Sequence, residues 1–327
     1  LIIYEGKQYD SESGETVLDC LLRNGVDIPH SCRSGVCHTC LMRVVKGTPG
    51  GDSQKGLKPS LVEQNYFLPC SCSADKEMEV VLPDAASFRF SASVVSIDLM
   101  TSEITRLRMT RPSGFQYHPG QYLTLYDAEG TGRTYSLASL PVLDPFLELH
   151  IRIVPNGKIS GWVHKGLSVG DTVSISEAIG NCFYVADQPE QSLLLVGTGT
   201  GLAPLYGIAR DALHKGHQGT IKLYHGSGTL AGIYLQQELR QLSENHSNFK
   251  YTACVSRPSN SLDTSSAPDV VHGRATAVAL QHNPKMPGWR AFICGEPAMV
   301  KDTSRALFLA GVSLKEIYSD PFIHSKP

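Results

Sequence analysis

Apolar positions recur along this chain with changing period, and the changes divide it. Between Thr16 and Asn24, Val17, Leu18, Leu21 and Leu22 share one face at helical spacing, which predicts a short helix ended by Gly25. Two strand-like runs precede it. The stretch GTPGGDSQKG at 47–56 reads as turns, and EVVLP closes the first segment as a strand. From Phe88 to Val185 the runs SASVVSIDL, EITRLRMT, QYLTLYD, FLELHIRIV and DTVSISEAI are rich in β-branched residues and broken by Gly, Pro and Asp. They predict a small antiparallel barrel that closes its own edges. From Gln191 the fully apolar SLLLVGTGTG runs into a glycine turn, and APLYGIARDALHKG continues as a helix. IKLYHG, FKYTACVS and WRAFICG are further buried strands with helical or loop stretches between, the pattern of a parallel α/β sheet. Three domains are therefore expected, over 1–85, 86–187 and 188–327.

Composition narrows the chemistry. A chain of 327 residues with 41% hydrophobic and 18% charged content is globular and long enough for two or three domains. A formal net charge of -2 gives no nucleic-acid footprint, although local patches can still steer a protein partner. No stretch approaches the roughly 18 apolar residues of a membrane span, and the opening LIIYEGKQYDSESGE lacks the features of a signal peptide. Of nine cysteines, five crowd between 32 and 72, while Cys20, Cys182, Cys254 and Cys294 are scattered. An odd total with one dense group predicts metal binding in a reducing compartment, so the cytoplasm is expected.

Cys32, Cys37, Cys40 and Cys70 are spaced C-x4-C-x2-C-x29-C. Three thiolates share one tight loop and the fourth returns from a distant segment, which is the plant-type [2Fe–2S] spacing. Ser34 and Gly35 would let the backbone pass close to the cluster and its amides donate to the sulfides. A structural zinc site is the alternative, but it more usually shows two C-x2-C pairs. Cys72 competes with Cys70 as fourth ligand, and Cys20 fits the apolar register of the preceding helix.

GRTYSLAS at 132–139 offers Arg133 to a pyrophosphate and Tyr135 and Ser136 to a flavin ring. In PNGKISGWV, Ser160 is a candidate N-cap whose following amides would form a phosphate site. GTGTGLAPL at 197–205 follows a strand and opens a helix, as a dinucleotide turn does, although Ala203 and Pro204 break the G-x-G-x-x-G pattern. Cys294 ends the strand AFICG, and Gly295 and Glu296 come directly after it at a sheet's carboxyl edge, where such sheets bind ligands. Ser227, Ser256 and Arg257 are candidates to meet the adenosine ribose. A single arginine without a second cation favours NADH over NADPH.

In this order the motifs resemble the ferredoxin–flavin–nicotinamide reductases of bacterial oxygenases, along essentially the whole chain. The resemblance implies a β-grasp plant-type [2Fe–2S] ferredoxin domain, an antiparallel six-stranded β-barrel FAD domain and a parallel α/β nucleotide-binding domain. It implies that FAD is held by Arg133, Thr134, Tyr135, Ser136, His150, Arg152, Gly157, Lys158, Ile159 and Ser160. Gly197, Thr198, Gly199, Thr200 and Gly201, with Ser227, Ser256 and Arg257, would hold NAD(P)H. Cys294, Gly295, Glu296 and Pro297 match the signature beside hydride transfer, and Phe322 the aromatic that covers the flavin. Ser136, Cys294, Glu296 and Phe322 would act by position and charge. AIGN at 178–181 departs from the Gly-Pro-x-Gly that relatives often carry.

The implied electron route runs from nicotinamide to FAD, to the cluster, and out to an oxygenase component or an intermediate ferredoxin. The cluster loop with Arg33, Ser34 and His38 is the expected docking point, and a monomer is expected. Competing readings are an electron carrier without nicotinamide chemistry and a reductase serving another partner, such as a deoxysugar dehydratase. No residue here encodes the organic substrate.

Overall fold

The computed structural model describes residues 1–30, 33–35, 38, 40–83, 89–257 and 270–322. The chain divides into two units, Leu1–Ala86 and Ser87–Pro327.

In the first unit, strands β1 (Ile2–Tyr4), β2 (Lys7–Tyr9), β3 (Met42–Lys46), β4 (Tyr66–Phe67) and β5 (Met78–Val81) form one sheet in the order β2-β1-β5-β3-β4. Only the central β1–β5 pair is parallel. Helix α1 (Val17–Arg23) lies where the apolar spacing placed it. Thr16 caps it by accepting from the Asp19 N–H at 3.1 Å, and Gly25 follows it with φ +78°. Its buried face is Val17, Leu18, Cys20 and Leu21, packed in one core with Ile2, Met42 and Val80. Each such side chain contributes about 1.5–3 kcal/mol when fully buried. The short helix α2 (Pro59–Glu63) follows the glycine-rich turns.

The second unit opens with a barrel. Its strands are β6 (Arg89–Thr101), β7 (Ile104–Thr110), β8 (Tyr122–Tyr126), β9 (Gly132–Ser136), β10 (Phe146–Arg152) and β11 (Thr172–Ser176). Their order is β10-β7-β6-β11-β8-β9, all antiparallel. A bridge between Leu137 and Leu149, with Ala138 N–H donating to the Glu148 carbonyl at 2.9 Å, joins the two ends and closes the barrel. Strand β6 serves both halves because its register shifts between Val94 and Ser96 and again between Leu99 and Thr101. Such bulges bend a long strand around a corner. Leu107, Leu123, Leu125, Leu149 and Ile175 fill the interior, and Ile159 and Val163 of helix α3 (Lys158–Lys165) pack into the same core.

The remainder is a six-stranded parallel sheet. Its elements are β12 (Leu193–Thr198), α4 (Leu202–His214), β13 (Ile221–Ser227), α5 (Gln236–Asn245), β14 (Phe249–Val255), β15 (Val270–His272), α6 (Ala275–His282), β16 (Arg290–Gly295), α7 (Pro297–Leu309) and β17 (Ile317–Pro321). The order β15-β14-β13-β12-β16-β17 reverses direction between β12 and β16, which makes their carboxyl ends the switch point where open sheets bind ligands. Two separate cores lie on the faces, one containing residues of α4 and α5 and one containing residues of α6 and α7. At the other edge Arg290, 1% exposed, donates to Asp187 and Glu316, each at 2.7 Å. That pairing ties the barrel-to-sheet connection to the foot of β16.

Candidate functional site

In the first unit, antiparallel pairing of Met42 with Phe67 brings the residues flanking β3 and β4 together. Cys40 and Cys70 thereby place their sulfurs 3.4 Å apart as free thiols. That is far beyond a disulfide of about 2.05 Å. It is close to the roughly 3.8 Å between thiolates sharing a tetrahedral metal with bonds of about 2.3 Å. Cys72 is fully buried, and its sulfur accepts from the Gly50 N–H at 3.5 Å and donates to the Ser73 carbonyl. Arg33, Gly35 and His38 have φ of +52°, +74° and +57°, which gives the loop its tight left-handed steps. A Cβ on Gly35 would come 2.7 Å from the Ser71 hydroxyl, so the loop presses on the turn that carries Cys70. Cys32 and Cys37 lie outside the described residues.

The second unit gathers the other candidates at the switch point. Gly197 and Cys294 are register partners on β12 and β16. A Cβ on Gly201 would collide with the Cys294 carbonyl, and one on Gly295, at φ +132°, would sit 2.7 Å from the Thr198 hydroxyl. The glycine turn and the Cys294–Gly295 turn therefore interlock with no room for a side chain. A 3-10 turn over Gly199–Gly201 leads into α4, whose start has no side-chain cap. Leu202 donates its N–H back to the Gly199 carbonyl and Pro204 has none, so the N–H groups of the glycine turn, with that of Ala203, are the candidates to meet a pyrophosphate. Ser227, Ser256 and Arg257 meet at the same edge, where Ser256 and Arg257 donate backbone N–H groups to Ser227 and Gly228 carbonyls, both at 3.0 Å.

Strand β17 joins the barrel to this edge. Asp320 pairs in register with Cys294, and Phe322 donates its N–H to the Gly295 carbonyl at 2.7 Å. From the barrel, Ser136 donates its hydroxyl to Asp320 Oδ2 at 2.9 Å across 184 residues of chain. Burial pushes the Asp320 carboxyl up to about 6, partly offset by that hydrogen bond. The Cys294 sulfur lies 3.7 Å from that of Cys182, and burial first, then Cys182, holds its thiol well above the ordinary range. Ser136, Cys294, Gly295 and Phe322 thus come together, while Asp320 and Cys182 escaped the reading of the sequence. The segment YSDPF contains Asp320, but nothing local to it marks its partner.

Next to Ser136 on β9, Tyr135 is half-buried and Arg133 exposed, its guanidinium donating only to the Gly132 carbonyl among the described residues. The start of α3 corrects one expectation: Gly157 is the N-cap, and Ser160 lies inside the first turn. Its hydroxyl accepts from the Val154 N–H at 3.1 Å and donates to the Gly157 carbonyl. The amides of Lys158, Ile159 and Ser160 still begin an uncapped helix. A Cβ on Gly157 would press on the Ser160 hydroxyl at 2.5 Å, so a larger residue there would displace that hydroxyl. Lys158 Nζ is held by Asp127 at 3.0 Å and Thr131 at 2.8 Å.

Three expected contacts have other employment. Glu296 caps α7, its carboxylate accepting from the Met299 N–H at 2.9 Å, with Pro297 in the first turn. Arg152 is exposed and paired with Glu103 at 2.8 Å. His150 is buried with both ring nitrogens engaged, by Glu148 at 2.9 Å and Tyr234 at 3.1 Å, so it belongs to the seam beneath the site and presents no free edge to a cofactor.

These features fit three groups: cysteine thiols for a cluster, a barrel edge with an exposed guanidinium and uncapped amides for FAD, and a glycine cradle for a dinucleotide. Comparison with known families agrees segment by segment. Residues 2–75 match the 2Fe-2S iron-sulfur cluster binding domain, 91–184 the oxidoreductase FAD-binding domain and 195–305 the oxidoreductase NAD-binding domain. A Ralstonia ferredoxin–NAD(P)+ reductase component, of naphthalene 1,2-dioxygenase/salicylate 5-hydroxylase systems, is 33% identical over 97% of this chain and 96% of its own length. The chain belongs to the ferredoxin–NAD(P)+ reductase family. The reductase subunit of an aromatic O-demethylase from Amycolatopsis is 31% identical over 97% of this reductase and 96% of that chain. Among solved structures, an Amycolatopsis cytochrome P450 reductase aligns with a TM-score of 0.68 at 30% identity, covering 98% of each chain. This reductase is accordingly an NAD(P)H-dependent iron–sulfur flavoprotein, an oxidoreductase whose electrons pass from nicotinamide through FAD to a [2Fe–2S] cluster. Among the described residues no helix is long and apolar enough to cross a membrane.

Proposed function

We propose that this reductase supplies single electrons to the terminal oxygenase component of a mono- or dioxygenase system, directly or through an intermediate ferredoxin, with NADH as the preferred donor. The oxygenase assignment is supported by the relatives, which are named for naphthalene dioxygenase, O-demethylase and phenol hydroxylase systems. The residue assignments rest on one observation above all, the junction at which Ser136, Asp320, Cys294 and Phe322 meet. When bound, the flavin accepts an electron pair as hydride and releases it singly, and the cluster carries one electron at a time.

The protein's part is placement. Arg133 and the amides opening α3 hold the FAD pyrophosphate, and Thr134, Tyr135 and Ser136 present the β9 edge to its ring. Gly197–Gly201 hold the dinucleotide, while Cys294 and Gly295 bound the nicotinamide side and Phe322 covers the flavin. Ser136 Oγ points its proton at Asp320, whose carboxyl burial pushes up to about 6. Cys32, Cys37, Cys40 and Cys70 ligate the cluster, and the chain is a cytoplasmic monomer.

The donor preference rests on charge. Over residues 225–232 and 254–257, Arg257 is the only Lys or Arg available to the two charges of a 2′-phosphate. An anaerobic titration with NADH and with NADPH, followed by visible absorbance and low-temperature EPR, tests both parts. Flavin bleaching with a reduced [2Fe–2S] signal is expected, with NADH the more efficient donor. Arg257→Ala should lower kcat/KM for NADPH several-fold more than for NADH. A coloured protein that neither nucleotide reduces would leave an electron carrier, and a larger kcat/KM with NADPH would overturn the preference.

A further inference from the structure

Beneath the glycine turn runs a row of buried polar side chains that the reaction does not use. His225, on β13, is fully buried, and its Nε2 lies 3.1 Å from the Gly199 carbonyl. A carbonyl only accepts, so Nε2 carries the proton. Burial pushes the ring down to about 4, so at neutral pH it is uncharged and Nδ1 is bare. Nδ1 is buried without a hydrogen-bond partner among the described residues. The Tyr234 ring stands edge-on to His225 at 5.4 Å and 89°, and edge-on to His150 of the barrel at 5.4 Å and 79°. The Tyr234 hydroxyl meets His150 Nδ1 at 3.1 Å, and His150 Nε2 meets Glu148 at 2.9 Å. Although burial opposes its charge, Glu148 is held at about 2 by His150 and by Arg108, 2.6 Å away.

A residue kept only for packing would not carry an orphaned ring nitrogen, because an apolar ring of similar size avoids that cost. The Gly199 oxygen also accepts from the Leu202 N–H of the 3-10 turn, and a second donor on that oxygen is what the imidazole adds. Gly199 sits at φ +54°, and its peptide plane also contains the N–H of Thr200. In a trans peptide the C=O and N–H point opposite ways. Fixing the Gly199 oxygen downward onto His225 therefore turns the Thr200 amide away from the core, on a residue that is partly exposed.

We propose that His225 is a positioning residue for the dinucleotide, aiming the Thr200 amide at the pyrophosphate, and that Tyr234 and His150 brace it against the flavin barrel. This rests on the reading of Gly197–Gly201 as the dinucleotide loop. It makes a barrel residue part of the apparatus that sets nucleotide affinity, through the chain Arg108–Glu148–His150–Tyr234–His225–Gly199.

The test is calorimetric binding of ADP-ribose, which keeps the pyrophosphate and cannot be reduced, to the oxidised holoenzyme. Thermal midpoint and flavin circular dichroism report the fold. His225→Phe should weaken binding about tenfold, one hydrogen bond's worth, with the flavin signal unchanged. His225→Gln, which returns an N–H donor near the Nε2 position, should recover most of that loss. Tyr234→Phe, which removes only the hydroxyl facing His150, should weaken binding about threefold, and it carries the test if His225→Phe does not fold. In turnover, KM for the nucleotide should rise while kcat holds. Wild-type affinity in both His225→Phe and Tyr234→Phe, or no recovery with glutamine, would overturn the inference. Wild-type enzyme that binds no ADP-ribose would instead overturn the loop assignment beneath it.

Discussion

The cysteine loop of the first unit and the nicotinamide–flavin junction of the second handle the same electrons but are held together differently. Three of the four cysteines proposed for the cluster fall within nine residues of one another, and the fourth, Cys70, is brought to Cys40 by the short β3–β4 pairing. Metal–thiolate bonds are strong enough to select the loop's final shape, so the backbone needs only left-handed steps and small side chains. The junction has no covalent ligands. Its parts are strand ends and turns from positions 136, 198, 295 and 320, fitted so closely that a single Cβ on Gly201 would strike the Cys294 carbonyl. A site made of non-covalent contacts must be rigid before the ligand arrives, because positioning is most of its contribution.

That contrast can be broken from either side. Cys70→Ser should abolish the [2Fe–2S] EPR signal and electron delivery to an acceptor, while the flavin is still bleached by nucleotide. Loss of flavin reduction in the same variant would show that the two sites are not independently built. Gly201→Val should do the reverse, leaving the cluster spectrum intact and weakening nucleotide binding by about 10- to 100-fold through overpacking against β16. Binding within a factor of two of wild type would mean the two turns are not tightly fitted.

The smallest expected effect sharpens the comparison. Asp320→Asn, which keeps an acceptor for Ser136 but loses the charge, should slow flavin reduction about threefold and remove the inflection near pH 6 from its pH profile. The stability effect has a defined sign. The folded carboxyl binds its proton more tightly than the unfolded one, so its contribution is fully present below about pH 4 and is lost as pH rises through 6. The asparagine variant should therefore gain stability relative to wild type at pH 8 and not at pH 4. Parallel unfolding curves at the two pH values would remove Asp320 as the titrating group.

What could be read along the chain was local. The first three cysteines of the C-x4-C-x2-C loop, the α1 face, the runs that became β6, β7, β8, β10 and β11, and the glycine turn before α4 depend on residues a few positions apart. Where a local signal was ambiguous, the fold resolved it. Ser160 has an N-cap's chemistry but sits three residues inside a helix that starts from Gly157, and Glu296 turns its carboxylate to capping α7. The edge strands β15 and β17 were not anticipated. The first has three residues, and the second ends in Asp320 and Pro321, which an isolated sequence reads as a turn. The partnerships that matter most, Ser136 with Asp320 and His225 with Gly199 and the His150–Tyr234 brace, have no signature in the linear pattern. They arise from strand order and register, which bring together side chains up to 184 residues apart after hydrophobic burial has chosen the sheet. Spacing along the chain thus specified which chemistry was present, and the pairing of distant strands specified which groups share it, because short-range preferences carry no information about long-range register.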